Sequence, residues 1–397
     1  MSGAGLRTVY VVAAKRTPFG TFLGKLKDVS ATDLAAHATK AALASGNVPA
    51  TAVDAVIVGN VAQSSSDAAY LARHAALKAG CRQESTALTL NRLCGSGFQS
   101  VISGTQEIEL GRAEVVVAGG TESMTQVPYA VRGARKTTLG QDLKMEDTLW
   151  SSLTDAYANL PMALTAEKLA EQYGITRGQC DEFALQSQAR WAAAHEAGHF
   201  AEELAPVEVK GKKGPEQFSA DEHPRPESTL EKMASLKAVF KKGGTVTAAN
   251  ASGICDGAGA VVLASEEAVK QHGLTPLARM VSYGVSGVDP TVMGIGPVTA
   301  FQQALKQAKL SLTDMALCEV NEAFAAQYLS VAKELGLDNA ITNSCGGAIA
   351  LGHPLAASGS RITAHLVHQL RRTNQRYAIG GACIGGGQGI AVLLEKM

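Results

Sequence analysis

Three residues, far apart in the chain, have the types and settings that covalent chemistry needs. Cys94 sits in NRLCGSGFQSV, after a β-branched run and at the start of a helical one. A thiol at the mouth of a helix feels the positive end of the helix dipole, which favours thiolate. Gly95 and Gly97 clear side-chain bulk there, so a substrate carbonyl and its oxyanion gain access to backbone N–H groups. His353 sits in GGAIALGHPLAASGSR, where Pro354 bars it from a helix interior and the glycines place it on a loop. A loop imidazole, with an ordinary pKa near ~6.5, suits a general base. Cys383 lies in YAIGGACIGGGQGIAVLLE, where glycines interrupt what otherwise reads as two adjoining strands. Two strands meeting there point one thiol into a pocket, while Gly385, Gly386 and Gly387 offer bare backbone donors. A glycine-rich turn around a buried cysteine is the competing reading, and the two have even weight until the three sites are taken together. Each then occupies a glycine-lined break in an α/β pattern.

The remaining candidates are weaker. Cys81, Cys180, Cys255, Cys318 and Cys345 show no activating context and read as small core hydrophobes. His365 and His368 lie three apart on a predicted helix, but the further ligands that a metal needs are not nearby, so no metal site is expected. Asn321, in VNEAF, follows a strand and either holds a water or oxyanion or merely caps a helix. GTFLGK at 20–25 is one residue short of the phosphate-loop spacing.

The elements that must position these residues alternate short β-branched runs with Ala-rich helical stretches, the rhythm of an α/β protein. Strands are predicted at 8–14, 54–63 and 113–124, a helix at 31–46, and strand, glycine turn and helix over 85–111. The same succession returns late: a helix at 298–311, strand into loop at 314–324, strand, glycine turn and helix over 338–372, then two strands in 377–395. The unit containing Cys94 therefore matches the unit containing His353, an architectural repeat with little literal identity. Residues 125–247 are richer in charge and helix formers and read as an inserted helical and loop-built lobe; the strand pattern resumes at 250–267.

At 397 residues the chain exceeds one ordinary core, and 46% hydrophobic against 18% charged residues is globular in kind. Zero formal net charge argues against a nucleic-acid partner held by overall charge. No apolar run is long enough to span a bilayer. Seven cysteines without a CxxC pair argue against a disulfide framework or zinc, and for a reducing compartment. Arg7, Lys15, Arg16, Lys25 and Lys27 with no acid in the first 27 residues suit mitochondrial import, although VYVVAAKRTPFG already reads as strand and turn.

Taken together, NRLCGSGFQS, GGTESM (119–124), VNEAFA (320–325), GGAIALGHPLAASGSR (346–361) and CIGGGQG (383–389) resemble the thiolase family over essentially the whole chain, and closely its 3-ketoacyl-CoA thiolases of mitochondrial fatty-acid oxidation. The resemblance implies an α/β fold of duplicated halves with stacked five-stranded mixed sheets. The first half would take 1–124 and 248–271, a CoA-binding lobe 125–247, and the second half 272–397. It implies that Cys94 attacks a 3-oxoacyl-CoA with His353 as base, and that Cys383 protonates the departing acetyl-CoA carbanion and then activates CoA. One oxyanion hole would use His353 and a water on Asn321, the other the N–H groups of Cys94 and Gly385. Arg225 would lie on the adenine nucleotide, with Ser228 nearby and Ser252 near the pantetheine. CoA is then a substrate and no cofactor is expected. A homo-oligomer, a tetramer, in the mitochondrial matrix (alternatively the cytoplasm) is implied as well.

The alternatives are biosynthetic condensation of two acetyl-CoA to acetoacetyl-CoA, an acyl-carrier-protein ketosynthase, which a second thiol argues against, and a non-catalytic acyl-CoA binder. The family's histidine motif has glycine where this chain has Ala356. If that position needs positive φ, alanine costs about 1 kcal/mol or more.

Overall fold

A computed structural model describes residues 6–397; residues 1–5, part of the expected first half and of the basic N-terminal segment, lie outside the described residues. Nine strands lie on one hydrogen-bonded path: β1 (Val9–Arg16), β2 (Ala55–Gly59), β3 (Thr86–Leu90), β4 (Val115–Ser123), β5 (Cys255–Ser265), β6 (Ala278–Gly287), β7 (Leu317–Val320), β8 (Tyr377–Ile384) and β9 (Gln388–Lys396). Their order is β7-β8-β9-β6-β1-β5-β4-β2-β3, and Gly20–Thr21 pairs with β5 off that path.

The path is two copies of one topology. In the first half β3 and β4 flank β2 in parallel, then β4, β5 and β1 follow antiparallel. In the second half Thr342 and β8 flank β7 in parallel, then β8, β9 and β6 follow antiparallel. Only Tyr10 and Val11 on β1 pair with Arg279 and Ala278 on β6, and this short seam joins the halves.

The second half departs from the expected five strands. Where the fifth should lie there is a single bridge, Cys318 to Thr342. Asn343, at φ 49°, turns the chain away and replaces the next ladder rung with its side chain. Its Oδ1 accepts from Val320 N at 2.9 Å, and its Nδ2 donates to Val320 O at 2.9 Å. Conversely, the sequence reading missed β6.

The helices that matter are α1 (Ala31–Ser45), α2 (Ser96–Glu109), α3 (Met162–Tyr173), α4 (Arg177–Glu196), α5 (Gly296–Ala308), α6 (Ala325–Leu335) and α7 (Ala357–Thr373). Strand alternation sorts the apolar side chains into layers. On β5, Val262 and Ala264 face α1, whereas Val261 and Leu263 face a central layer with Phe98 and Ile102 of α2 and Ile362 and Leu366 of α7. From the other side, Ala382, Ile390 and Val392 close on that same layer, while Ile379 and Leu393 face α5 and α6. The order is helix, sheet, helix, sheet, helix.

The central pair touches at its N-terminal ends. A Cβ on Gly97 would lie 2.5 Å from Ser360 N, and one on Gly359 would lie 2.2 Å from Phe98 N. Only glycine permits so close a backbone approach, and it draws the loops that carry Cys94 and His353 together.

Residues 125–247 hold α3 and α4, as expected, and add three small antiparallel hairpins. The basic residues of the N-terminal segment are partly structural. Arg16 is fully buried, with Nε on Glu203 Oε1 at 2.7 Å and Nη1 on Asp221 Oδ1 at 2.6 Å, tying β1 to the lobe. Arg7 is held by Glu114 and Glu267. Among the described residues no helix is long and apolar enough to cross a membrane.

Candidate active site

Cys94 sits on the tight turn between β3 and α2. Leu93 adopts φ 47°, an uncommon conformation for a branched side chain, and the turn is held around it. Leu93 N donates to Asn91 Oδ1 at 2.9 Å, Arg92 N donates to Ser96 Oγ at 2.9 Å, and Ser96 Oγ donates to Leu93 O at 2.7 Å. The turn lifts a half-buried thiol into a cavity of about 280 Å3 that His353 and Ser252 also line. Its walls are otherwise mostly apolar, with Met124, Trp150, Met162, Phe240, Met293 and Phe324 among them.

His353 reaches the cavity from the loop before α7. Its backbone N donates to Gly253 O at 2.9 Å. Nδ1 lies 2.6 Å from Ser358 Oγ, and Nε2 lies 3.4 Å from Asn321 Nδ2. Asn321 is fully buried directly after β7, and its Oδ1 has no hydrogen-bond partner among the described residues. Burial depresses the His353 imidazole to about 4, and the Arg361 charge adds to the effect, so the ring is neutral near pH 7.

Cys383 is 1% exposed, next to the tip of the β8–β9 hairpin, and packs with Met293, Ala323, Met162 and Phe324, residues of the same cavity wall. Burial pushes its thiol upward, and the proximity of Cys94 adds to that. Gly386 and Gly387, at φ 77° and 78°, make the hairpin turn. Gly385 serves the thiol instead: its N–H points at the Cys94 sulfur.

The dipole expectation for Cys94 needs correction. Burial pushes this thiol up to about 11, and the N–H groups of Gly385 and of Cys94 itself offset only part of it. Desolvation outweighs the helix end, so the resting pair is thiol and neutral imidazole.

The worry over Ala356 disappears. It sits at φ −73°, ψ −25°, where alanine is at ease.

Ser252 lines the cavity, but Arg225 and Ser228 do not. The Arg225 guanidinium turns back on its own loop, donating to the carbonyls of Glu222, His223 and Pro224 at 3.0, 2.7 and 2.9 Å.

His365 pairs with Glu203 and His368 with Ala14 O, so the two imidazoles have separate partners. Cys345 has more context than its sequence shows. Gln369 Nε2, His199 Nδ1 and Arg372 Nη2 lie 3.6, 3.9 and 3.9 Å from its sulfur, although it is not in the catalytic cavity wall.

Sequence reasoning missed Glu122 and Glu322. Glu122 accepts from the backbone N of Val61, Ala62 and Ala356 and from Asn60 Nδ2, pinning the histidine loop to the first half. Burial raises it to about 7 despite those donors. Glu322 accepts from Ser187, Asn343 and Ile349 N and braces the start of the same loop. The signal for both was their place beside a conspicuous motif, in GGTESM and VNEAF.

The comparisons with known proteins agree with this geometry. The family model "Thiolase, N-terminal domain" matches residues 9–267, and "Thiolase, C-terminal domain" matches 274–396. The mouse (Mus musculus) protein named 3-ketoacyl-CoA thiolase, mitochondrial, is 64% identical over 392 residues, covering 98% of this chain and 99% of its own. The crystal structure of human mitochondrial 3-ketoacyl-CoA thiolase superposes with a TM-score of 0.98 at 63% identity, covering 99% and 100% of the two chains. The same human enzyme in complex with CoA gives 0.96 at 62%, covering 98% of each.

Proposed function

The chain belongs to the thiolase family, and on that premise we propose how its residues carry the reaction. The activity is acyl transfer: 3-oxoacyl-CoA and CoA give acetyl-CoA and a shortened acyl-CoA, as in fatty-acid β-oxidation. The biosynthetic condensation to acetoacetyl-CoA is not favoured, since the relatives above carry the degradative name.

Cys94 Sγ attacks the 3-oxo carbon while its proton passes to His353 Nε2, a transfer supported by the neutral imidazole in the same cavity. The carbon–carbon bond breaks, leaving the acyl group on Cys94 and an acetyl-CoA enolate. His353 and a water on Asn321 hold one oxyanion, and the N–H groups of Cys94 and Gly385 hold the other; each such donor is worth ~3 kcal/mol. Cys383 gives its proton to the enolate carbon. It then takes the proton of a fresh CoA thiol, whose sulfur attacks the Cys94 thioester and releases the shortened acyl-CoA, and the Cys94 thiolate that leaves regains its proton from His353. Thiols of similar acidity make that exchange nearly balanced.

CoA is a substrate, and Arg225, Ser228 and Ser252 are proposed to contact it, with 125–247 as the CoA-binding lobe between a first half of 1–124 with 248–271 and a second half of 272–397. No separate cofactor, metal or nucleic-acid partner is proposed. A homo-oligomer, a tetramer, in the mitochondrial matrix completes the reading; the mitochondrial names of the relatives support the location.

The observation that carries the proposal is the convergence of Cys94 and His353 on one cavity, with Cys383 packed behind its wall. Thiolysis assayed across 3-oxoacyl-CoA chain lengths tests it. Turnover with tails longer than acetoacetyl is expected; activity on acetoacetyl-CoA alone would favour the biosynthetic reading.

A further inference from the structure

We propose that Ser358 is a positioning residue that fixes His353 in the tautomer able to accept the Cys94 proton. The assignment rests on the thiolase reading for its meaning, but on geometry for its content. Ser358 Oγ lies 3.1 Å from Pro354 O, which can only accept, and 2.6 Å from His353 Nδ1. A hydroxyl has one proton to give, and when it goes to the carbonyl, which also receives the N–H groups of Ala357 and Ser358, the lone pairs of Oγ face Nδ1. In that arrangement Nδ1 carries the ring proton and donates it to Ser358.

The other ring nitrogen agrees independently. Asn321 Nδ2 is a donor, and it faces Nε2 at 3.4 Å, so Nε2 presents its lone pair. With Asn321 Nδ2 facing the ring, both contacts are matched when Nδ1 carries the proton and Nε2 its lone pair.

A comparison inside the chain sharpens the point. Gly97 and Gly359 meet back to back, which places Ser96 and Ser358 at equivalent positions, each one residue before. Both hydroxyls donate to a carbonyl upstream, Leu93 O or Pro354 O. Their free lone pairs differ in use. Ser96 accepts a backbone N–H, from Arg92, and closes the nucleophile turn. Ser358 accepts from the catalytic imidazole instead. Orienting a histidine through its second nitrogen is how proteins choose which nitrogen reacts.

The test compares wild type, Ser358→Ala and Ser358→Thr in the full chain. Nitrogen-15 NMR of histidine-labelled protein, with His353→Asn to assign the signal, reads the tautomer without turnover. Wild type should show protonated Nδ1 and bare Nε2. Ser358→Ala should add the Nε2–H form and lower kcat by about 10- to 100-fold with KM nearly unchanged, and Ser358→Thr should restore both. A wild-type spectrum with protonated Nε2, full kcat in Ser358→Ala, or a threonine variant as impaired as the alanine one would overturn the assignment. Because the spectrum needs no substrate, failure of the thiolase reading would appear separately, as the expected tautomer in an enzyme that forms no product.

Discussion

The two halves repeat one topology, yet their strand ends perform different work. Gly59 pairs with Gly120 in the first half as Val320 pairs with Gly381 in the second. By that register Asn60 is the counterpart of Asn321, and Glu122 the counterpart of Cys383. In the first half both are satisfied. Asn60 Nδ2 donates to Thr121 O and Glu122, its Oδ1 accepts from Gln63 N, and Glu122 accepts four donors. In the second half, among the described residues, Asn321 keeps an unpartnered Oδ1, and Cys383 has no donor outside its own backbone. Polar groups left unmatched in a buried site cost stability, and they persist where something else is to be bound. The helix-turn register extends the comparison: Cys94 and Ala356 both stand three residues before the glycine contact, so the first half provides a thiol, the proposed nucleophile, where the second has a methyl group.

The sharpest way to break this division is at the nucleophile. Cys94→Ala should lower thiolysis by on the order of 10^4-fold or more, with CoA binding nearly intact. Retained turnover in a steady-state assay would sink the assignment. Next come the register partners Cys383 and Glu122. Cys383→Ser should cut kcat by about 10^3-fold and collapse exchange of acetyl-CoA α-protons with solvent, because a hydroxyl is far less acidic than a thiol. Glu122→Gln should leave kcat within a few-fold and cost stability, by about 1–3 kcal/mol at pH 5.

The sign of the pH effect follows from the direction of the shift. Glu122 is raised to about 7, so the fold favours its protonated form. Its contribution is fully present below about pH 4.5 and is lost as pH rises through about 7. Thermal melts of Glu122→Gln should lack that part of the decline. A parallel slope in wild type and variant would remove Glu122 from the account.

A smaller effect separates the asparagines. Asn321→Ala should lower kcat by about 10^2-fold at unchanged melting temperature, whereas Asn60→Ala should lower the melting temperature and spare kcat. The opposite pattern would erase the contrast. The smallest expected change is in the pH profile. His353 is depressed to about 4, so kcat/KM should lose little between about pH 7 and pH 5, where an ordinary histidine base would already fail. The same depression means that the stability His353 contributes is present above about 6.5 and is lost as pH falls toward 4.

Much of this was legible in the residues. The three reactive side chains announced themselves through glycine and proline neighbours, and apolar β-branched runs marked most strands. What escaped did so for physical reasons. β6 was hidden because its buried face is small and polar: Ser282, Gly284 and Ser286 replace the usual apolar period. They do so because α5 packs closely there, with Ala300 O 2.1 Å from where a Gly284 Cβ would be. The strand predicted near 340 failed because an asparagine side chain can replace a strand's backbone, which no periodicity reveals. The thiol acidity was misjudged because burial is a property of the assembled cavity rather than of a helix start. Glu122 went unnoticed because its four donors come together only in the fold. Its register match with Cys383 could have been suspected from GGTES and GGACI, which share a glycine pair at the same distance.

The central claim is that two neighbouring thiols have unequal duties, with the acyl group carried by Cys94 alone. Mass spectrometry of peptides from enzyme quenched with 3-oxoacyl-CoA, without free CoA, reads this directly. The account predicts an acyl thioester on the peptide containing Cys94 and none on the peptide containing Cys383. Acylation of Cys383, or turnover with neither thiol acylated, would contradict it.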